Sequence, residues 1–211
     1  MKRTFTLAAS TIPGEFIIPR TLPEIARLLP DIELKLDVTD SLKVFEKIKR
    51  GDVELGVIGT RYNAADVEYT TIIKSDRLVI IAAKGSPLTG RKEVSFEDLR
   101  KAPFVCREPG SGTREAYEKV FGSAGLKISD LNVIAEISDT EGVIQAVEAG
   151  AGISIVSELA AKEAIELGKI VVLDAPHLAV TRDFSMITRK GQSLSPDCQK
   201  VFAVLKSVFR K

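Results

Sequence analysis

Thr4–Ile58, TFTLAASTIPGEFIIPRTLPEIARLLPDIELKLDVTDSLKVFEKIKRGDVELGVI, alternates short apolar runs with longer amphipathic ones. Thr4–Ala9 reads as a strand. Glu15–Leu29 carries Phe16, Ile17, Leu22, Ile25, Ala26 and Leu29 at helical spacing. Ile32–Val38 puts Ile, Leu, Leu and Val on alternate positions, as a strand with one buried face does. Leu42–Arg50 reads as a helix ended by Gly51, the residue that most easily turns left-handed at a helix C-terminus. Glu54–Ile58 is a short strand. A βαβαβ order of this kind builds a parallel sheet with helices on its faces, because parallel neighbours need a long crossover.

The pattern then restarts. Phe104–Cys106, Asn132–Ile137, Ile153–Val156 and Ile170–Leu173 read as strands, separated by helices over Thr113–Phe121, Glu141–Glu148 and Ser157–Glu166. Two sets fit two lobes better than one long sheet. The apolar segments Arg77–Ala83 and Ala179–Thr188 sit where the chain would change lobes. With both as crossovers, lobe I holds residues 1–80 and 182–211, lobe II holds 84–178, and the crossover strands lie near 77–83 and 179–188. A single crossing is the simpler alternative. Two are expected, because the last helix, Pro196–Phe209, is apolar at Val201, Phe202, Leu205, Val208 and Phe209 and needs a sheet to cover.

Composition sets limits on function. The 211 residues are 45% hydrophobic and 28% charged, a globular balance with material for two lobes. Thirty basic against 29 acidic side chains give a net charge of +1, without the basic excess of a nucleic-acid-binding domain. No apolar run approaches the ~20 residues of a membrane span, and the broken N-terminal run reads as a strand rather than a signal peptide. Cys106, Cys198 and His177 are the whole supply of soft ligands, so neither a metal site nor a cofactor is expected. The net charge conceals a division. Residues 83–180 hold 11 basic and 15 acidic side chains, and the remainder holds 19 and 14.

Three loops place small polar residues before helices: Ser10-Thr11-Ile12-Pro13-Gly14, the run REPGSGTR from Arg107 to Arg114, and Ser138-Asp139-Thr140. Loops that leave the C-terminal ends of parallel strands gather along one edge, where ligands bind. Helix N-termini there favour anions, and hydroxyls add neutral donors. The same residues are also ordinary N-caps, and Ser138 with Glu141 has the S-x-x-E spacing of a capping box. The glycine-rich loop differs most from plain capping: Gly110 and Gly112 flank Ser111, with Arg107 and Arg114 alongside. It lacks the lysine and spacing of a phosphate loop, and Gly150-Ala151-Gly152 does not complete a dinucleotide fingerprint. Arg107 next to Cys106 could lower that thiol's pKa, but a half-buried structural thiol at a strand end is the expected reading. His177 has no evident partner, and no catalytic constellation emerges.

Four segments, in order, resemble the effector-binding domain of LysR-type transcriptional regulators. They are LAASTIPGEFIIPRTLPEIARLLPDIELKL, LKVFEKIKRGDVELGVIG, VIQAVEAGAGISIVSELAAKEAIELGKIVVL and TRDFSMITRKGQSLSPDCQKVF. The resemblance covers essentially the whole chain. It implies an α/β fold of the type 2 periplasmic-binding-protein kind, two Rossmann-like lobes joined by two crossover strands, with a small-molecule effector in the interlobe cleft. Matched residue by residue, it places effector contacts at Ser10 and Thr11, at Thr60 in VIGT, at Ser111, Gly112 and Thr113, and more loosely at Ser138 and Asp139. Arg107 joins them through its place beside the glycine loop. It further implies a small organic or inorganic anion as effector, a cytoplasmic homodimer pairing lobe I with lobe II antiparallel, higher oligomers, and no membrane partner. Nothing in the chain matches the family's winged helix-turn-helix, so it reads as an effector domain alone, with DNA contacted only through the missing part. A solute-binding protein of the same fold is the alternative. A prephenate dehydratase is a more distant one, its Thr-Arg-Phe motif only partly echoed by Thr181-Arg182-Asp183-Phe184.

Overall fold

The computed structural model describes residues 2–209. Along the chain run β1 (Arg3–Ser10), α1 (Leu22–Leu28), β2 (Ile32–Thr39), α2 (Ser41–Arg50), β3 (Gly56–Ile58), β4 (Val67–Ala83), α3 (Phe96–Lys101), β5 (Pro103–Arg107) and α4 (Gly112–Ser123). Then follow β6 (Asn132–Ile137), α5 (Thr140–Glu148), β7 (Ile153–Ser157), α6 (Glu158–Glu166), β8 (Ile170–Leu173), β9 (Val180–Arg189) and α7 (Pro196–Val208). The chain divides into two compact units. Unit 1 runs up to Ser75 and resumes at Asp183, and unit 2 is Asp76–Arg182. β4 and β9 are the strands on which the chain passes from one to the other.

In unit 1, β1 pairs in parallel with β2 from Arg3↔Ile32 to Ser10↔Thr39, and on its other side with β3. β3 pairs antiparallel with β9. The amphipathic helix α2 covers this sheet with Val44, Phe45 and Ile48. Asp40 accepts a hydrogen bond from the Lys43 N–H at 2.8 Å to start it, and Gly51 at φ 77° ends it. α7 buries Cys198, Val201, Val204 and Leu205. Its start is tied down twice: Glu54 accepts from both the N–H and the hydroxyl of Ser195, and Arg3 grips Asp197 with two bonds.

One expectation fails here, and another is extended. The single helix read over Glu15–Leu29 is instead a π turn (Pro13–Ile17), a 3-10 turn (Ile18–Thr21) and the short α1. Pro13, Pro19 and Pro23 each remove a backbone donor and crowd the residue before them, so no regular α ladder runs through. The crossover read at Arg77–Ala83 is the second half of β4, a strand of 17 residues. Between the halves Ser75 adopts φ 60°, the only positive φ of a non-glycine residue among those described.

In unit 2, β5 lies between β6 and β7, parallel to both. The second half of β4 pairs antiparallel with β7 and with β8. Phe104, Cys106, Tyr117, Phe121, Ile153 and Ile155 lie in its core. The run Gly150-Ala151-Gly152 serves packing. Gly150 is left-handed just past α5, and Gly152 lies so close to the start of β5 that a side-chain carbon there would run into the Pro103 carbonyl. α3, unread in the sequence, is held by a capping box of Ser95 and Asp98. His177, expected to be unpartnered, stacks edge-on against Phe96 and places Nδ1 3.5 Å from Glu93.

Candidate functional site

In unit 1, the parallel register fixes which loops meet. Ala9 pairs with Val57, so Ser10 and Thr11 leave β1 beside the end of β3, which Thr60 follows. Ser10, Thr11 and Thr60 are 6%, 8% and 8% exposed. A buried hydroxyl is costly unless bonded. Thr60 Oγ1 has no hydrogen-bond partner among the described residues. It is a donor and acceptor left over at a strand end.

Unit 2 presents a different edge, built of charges. Arg107 ends β5 with its side chain 2% exposed. Its Nε and Nη2 donate to the two oxygens of Glu108 at 2.8 and 3.0 Å, Nη1 to the Thr140 hydroxyl at 2.5 Å and Nη2 to the Ser138 carbonyl at 3.1 Å. The guanidinium therefore clamps the turn entering α5 onto the end of β5. Ser138 contributes its backbone carbonyl here. The side chain in the clamp is Thr140, which the sequence had marked only as part of the loop. The capping box expected from Ser138 and Glu141 is not formed. Asp139 caps α5 instead, accepting from the Gly142 N–H at 2.6 Å. Carboxylates and hydroxyls compete for the same orphan N–H groups, and here the cap lies one residue later.

The glycine loop leads into α4. Ser111 and Thr113 are buried, Gly112 begins the helix, and the Ser111 hydroxyl accepts from the Arg114 N–H at 3.5 Å, a long bond. Arg114 turns back, donating to Glu118, Glu136 and the Arg107 carbonyl at 2.8–2.9 Å. Burial works against its charge, but the bonds to Glu118 and Glu136 prevail and its pKa is raised. The expected influence of Arg107 on Cys106 does not appear. Burial pushes that thiol up, its Sγ lies 3.2 Å from the Tyr117 hydroxyl, and it is 1% exposed. Cys106 is a core residue rather than a nucleophile or a half-buried thiol. Both cysteines are free.

The sequence reading missed a third group on this edge. Asp76 on β4 accepts from Ser157 Oγ at 2.7 Å and from Arg182 Nε at 3.1 Å. Burial lowers the pKa of Arg182, Asp76 counteracts it, and Arg107 lowers it further. The two guanidinia thus feel one another. A cavity of about 640 Å³ in the same unit lies at the opposite ends of β5 and β7, against Pro103, Gly152 and Ile153. Among the described residues no group of three or more His, Cys, Asp or Glu side chains could hold a metal ion, and no helix is long and apolar enough to cross a membrane.

Two α/β units that share two crossover strands, with hydroxyls, helix N-termini and guanidinia at the C-terminal strand ends, are the build of a periplasmic-binding-protein-like ligand domain. The LysR substrate binding domain model matches residues 1–210, and the chain belongs to that family. It is an effector-binding domain of the LysR type. It is 35% identical over 194 residues to the helix-turn-helix transcriptional regulator MJ0300 of Methanocaldococcus jannaschii, covering 92% of this chain and 64% of that protein. It is 31% identical over 210 residues to the regulator CysL of Bacillus subtilis, covering 100% and 69%. Among solved structures it is similar to the CcmR regulatory domain of Synechocystis PCC6803 in complex with 2-PG. There the TM-score is 0.87 and the identity 26%, over 99% of this chain and 98% of that one. The effector-binding domain of QuiR in complex with shikimate shares the fold at 15% identity and TM-score 0.84, over 100% and 98%.

Proposed function

We propose that this domain senses a small anionic effector and, as part of a longer cytoplasmic regulator, passes its occupancy through a homodimer to a DNA-binding segment. The effector's polar groups are taken by Ser10, Thr11 and Thr60 in unit 1, and by Arg107, Ser111, Gly112, Thr113, Ser138 and Asp139 in unit 2. The observation that carries the reading is Thr60. A hydroxyl this buried and left without a protein partner is a group prepared for something the chain does not supply. Relatives that bind 2-PG and shikimate support an acidic effector.

The division of charge supports the dimer. Unit 1 holds 17 basic and 13 acidic side chains, and unit 2 holds 13 and 16. Antiparallel pairing sets unlike charges opposite one another. Sedimentation at low and high salt should show association that weakens with salt, and a salt-insensitive monomer overturns the arrangement. For the effector, thermal melts against inorganic oxyanions and small carboxylates, 2-PG and shikimate among them, should give stabilisation by RT ln(1 + [L]/Kd), about 2.7 kcal/mol at a hundred times Kd. Ser10→Ala and Thr113→Ala should each reduce that shift. If neither does, the site lies elsewhere.

A further inference from the structure

In the segment Thr181-Arg182-Asp183-Phe184, Arg182 holds a deeply placed charge. Its side chain is 7% exposed and that of its partner Asp76 is 2% exposed. The pair joins the two strands on which the chain changes units, at the last residue of unit 2 on β9 and the first on β4.

The way Asp76 is received is informative. Ser157 stands at the N-cap of α6, where a serine hydroxyl normally accepts from the helix's own N–H groups. It makes no such bond. It donates to Asp76 at 2.7 Å, while Arg182 Nε donates to the other carboxylate oxygen at 3.1 Å. A hydroxyl donor, a guanidinium donor and a helix N-terminus form the set with which a protein would bind the carboxylate or phosphate of a small molecule. Here the set is filled by the protein's own carboxylate. A second buried guanidinium, Arg107, bears on Arg182 and is held in place by Glu108 and Thr140.

We infer that Arg182 reads the charge of the effector and that Asp76 is an internal counter-ion which the effector's anionic group displaces from it. The inference rests on the effector reading above and narrows it to molecules that carry a carboxylate or phosphate. Arg182 is paired with Asp76 and Arg107 with Glu108. An incoming anion therefore competes with Asp76 for Arg182, and the price of entry is the broken ion pair. A neutral molecule has nothing to exchange and gains nothing from this edge. Ser157 keeps its bond to Asp76 during the exchange, so the freed carboxylate is not left without a donor.

The test is isothermal titration of the full chain with inorganic phosphate, with 2-PG, and with an uncharged sugar alcohol of similar size. Asp76→Asn keeps an acceptor for Ser157 but removes the competing charge, so both anions should bind at least threefold more tightly. Arg182→Gln should weaken them at least tenfold, and the double variant should follow Arg182→Gln. Far-ultraviolet circular dichroism checks folding. If Arg182→Gln does not fold, Asp76→Asn decides alone, supported by Arg182→Lys, which should retain part of the anion affinity. Unchanged or weaker anion binding by Asp76→Asn overturns the inference. Binding of the sugar alcohol but of neither anion overturns it while leaving the effector reading in place. If the wild type binds none of the three probes and no small molecule stabilises it in the thermal melts, both fall.

Discussion

The two units finish the C-terminal ends of their strands with opposite chemistry. Unit 1 ends its strands with the neutral hydroxyls of Ser10, Thr11 and Thr60, of which Thr60 Oγ1 has no hydrogen-bond partner among the described residues. Unit 2 lines its edge with ions, and each buried ion is already paired: Arg107 with Glu108, Arg182 with Asp76, Arg114 with Glu118 and Glu136. A buried hydroxyl without a partner costs about 1–3 kcal/mol, whereas a buried charge without one costs far more. The difference follows from that asymmetry. A fold can hold a hydroxyl in reserve, but it must neutralise a guanidinium before the ligand arrives. On the proposed reading, unit 1 holds a hydroxyl in reserve, and unit 2 sets an internal anion against an external one.

Each unit also carries one buried thiol, which allows the two to be compared by the largest effect expected. Cys106 in unit 2 is 1% exposed and Cys198 in unit 1 is 0% exposed. Burial, with Glu54 adding to it, pushes the Cys198 thiol up to about 12. Native-state alkylation at pH 8 should be slower than in the denatured chain by roughly a thousandfold or more, because each thiol reacts only when its unit opens and opening draws on a stability of about 5–15 kcal/mol. Mass spectrometry of the two cysteine peptides reads the units separately. A thiol whose pKa is raised by folding favours the native state below its unfolded value and loses that favour as pH rises toward the folded one. Melting temperature should accordingly fall between about pH 8.5 and pH 12. Rapid labelling of Cys106 with Cys198 protected would show that unit 2 opens independently.

Next in size is the clamp of unit 2. Arg107→Met keeps the length of the side chain but strips Glu108, Thr140 and the Ser138 carbonyl of their donor. Removing one member of a buried pair costs about 3–5 kcal/mol. Chemical denaturation should show a loss of this order with an unchanged slope. A loss under about 1 kcal/mol would mean that Glu108 turns to solvent and that the edge is less committed than its geometry indicates.

How much of this was legible in the sequence depended on the distance between partners. Strands β6 and β8 were bounded to the residue, because their apolar runs end at turn residues. The helix over Glu15–Leu29 was misread because its apolar spacing is helical while Pro13, Pro19 and Pro23 withhold the donors a helix needs. The first half of β4 was hidden in VEYTTIIKSD, where polar residues break the alternation. The hydroxyls of unit 1 stood out because Ser10 closes β1, Thr11 follows it, and Thr60 lies two residues past β3. The ion pairs of unit 2 could not. Asp76 is separated from Ser157 by 81 positions and from Arg182 by 106, and no local pattern signals a pairing made by the topology.

A smaller effect separates two neighbours in unit 2 that look equivalent in the sequence. Asp139 accepts from the Gly142 N–H at 2.6 Å and caps α5, while Ser138 gives Arg107 only its backbone carbonyl. Asp139→Ala should cost about 1 kcal/mol, the usual loss of a cap, and Ser138→Ala should be near neutral in stability. Equal losses would restore the capping box that the spacing of Ser138 and Glu141 suggested.

The smallest stability effect belongs to unit 1, and it is the most discriminating. Thr60→Val preserves shape and removes a hydroxyl that has no bond to lose, so thermal and chemical stability should hold or rise by up to about 1 kcal/mol. In unit 2 a substitution of similar size at Thr140 removes a partner of Arg107 and should destabilise. If the Thr60 hydroxyl waits for a ligand, Thr60→Val trades a stable fold for weaker effector binding, by about tenfold for one hydrogen bond to a charged group. Comparing melting curves with and without effector reads both quantities in one experiment. A Thr60→Val variant that loses stability would show that the hydroxyl already serves the fold, and the contrast between a waiting edge and a paired edge would then fail.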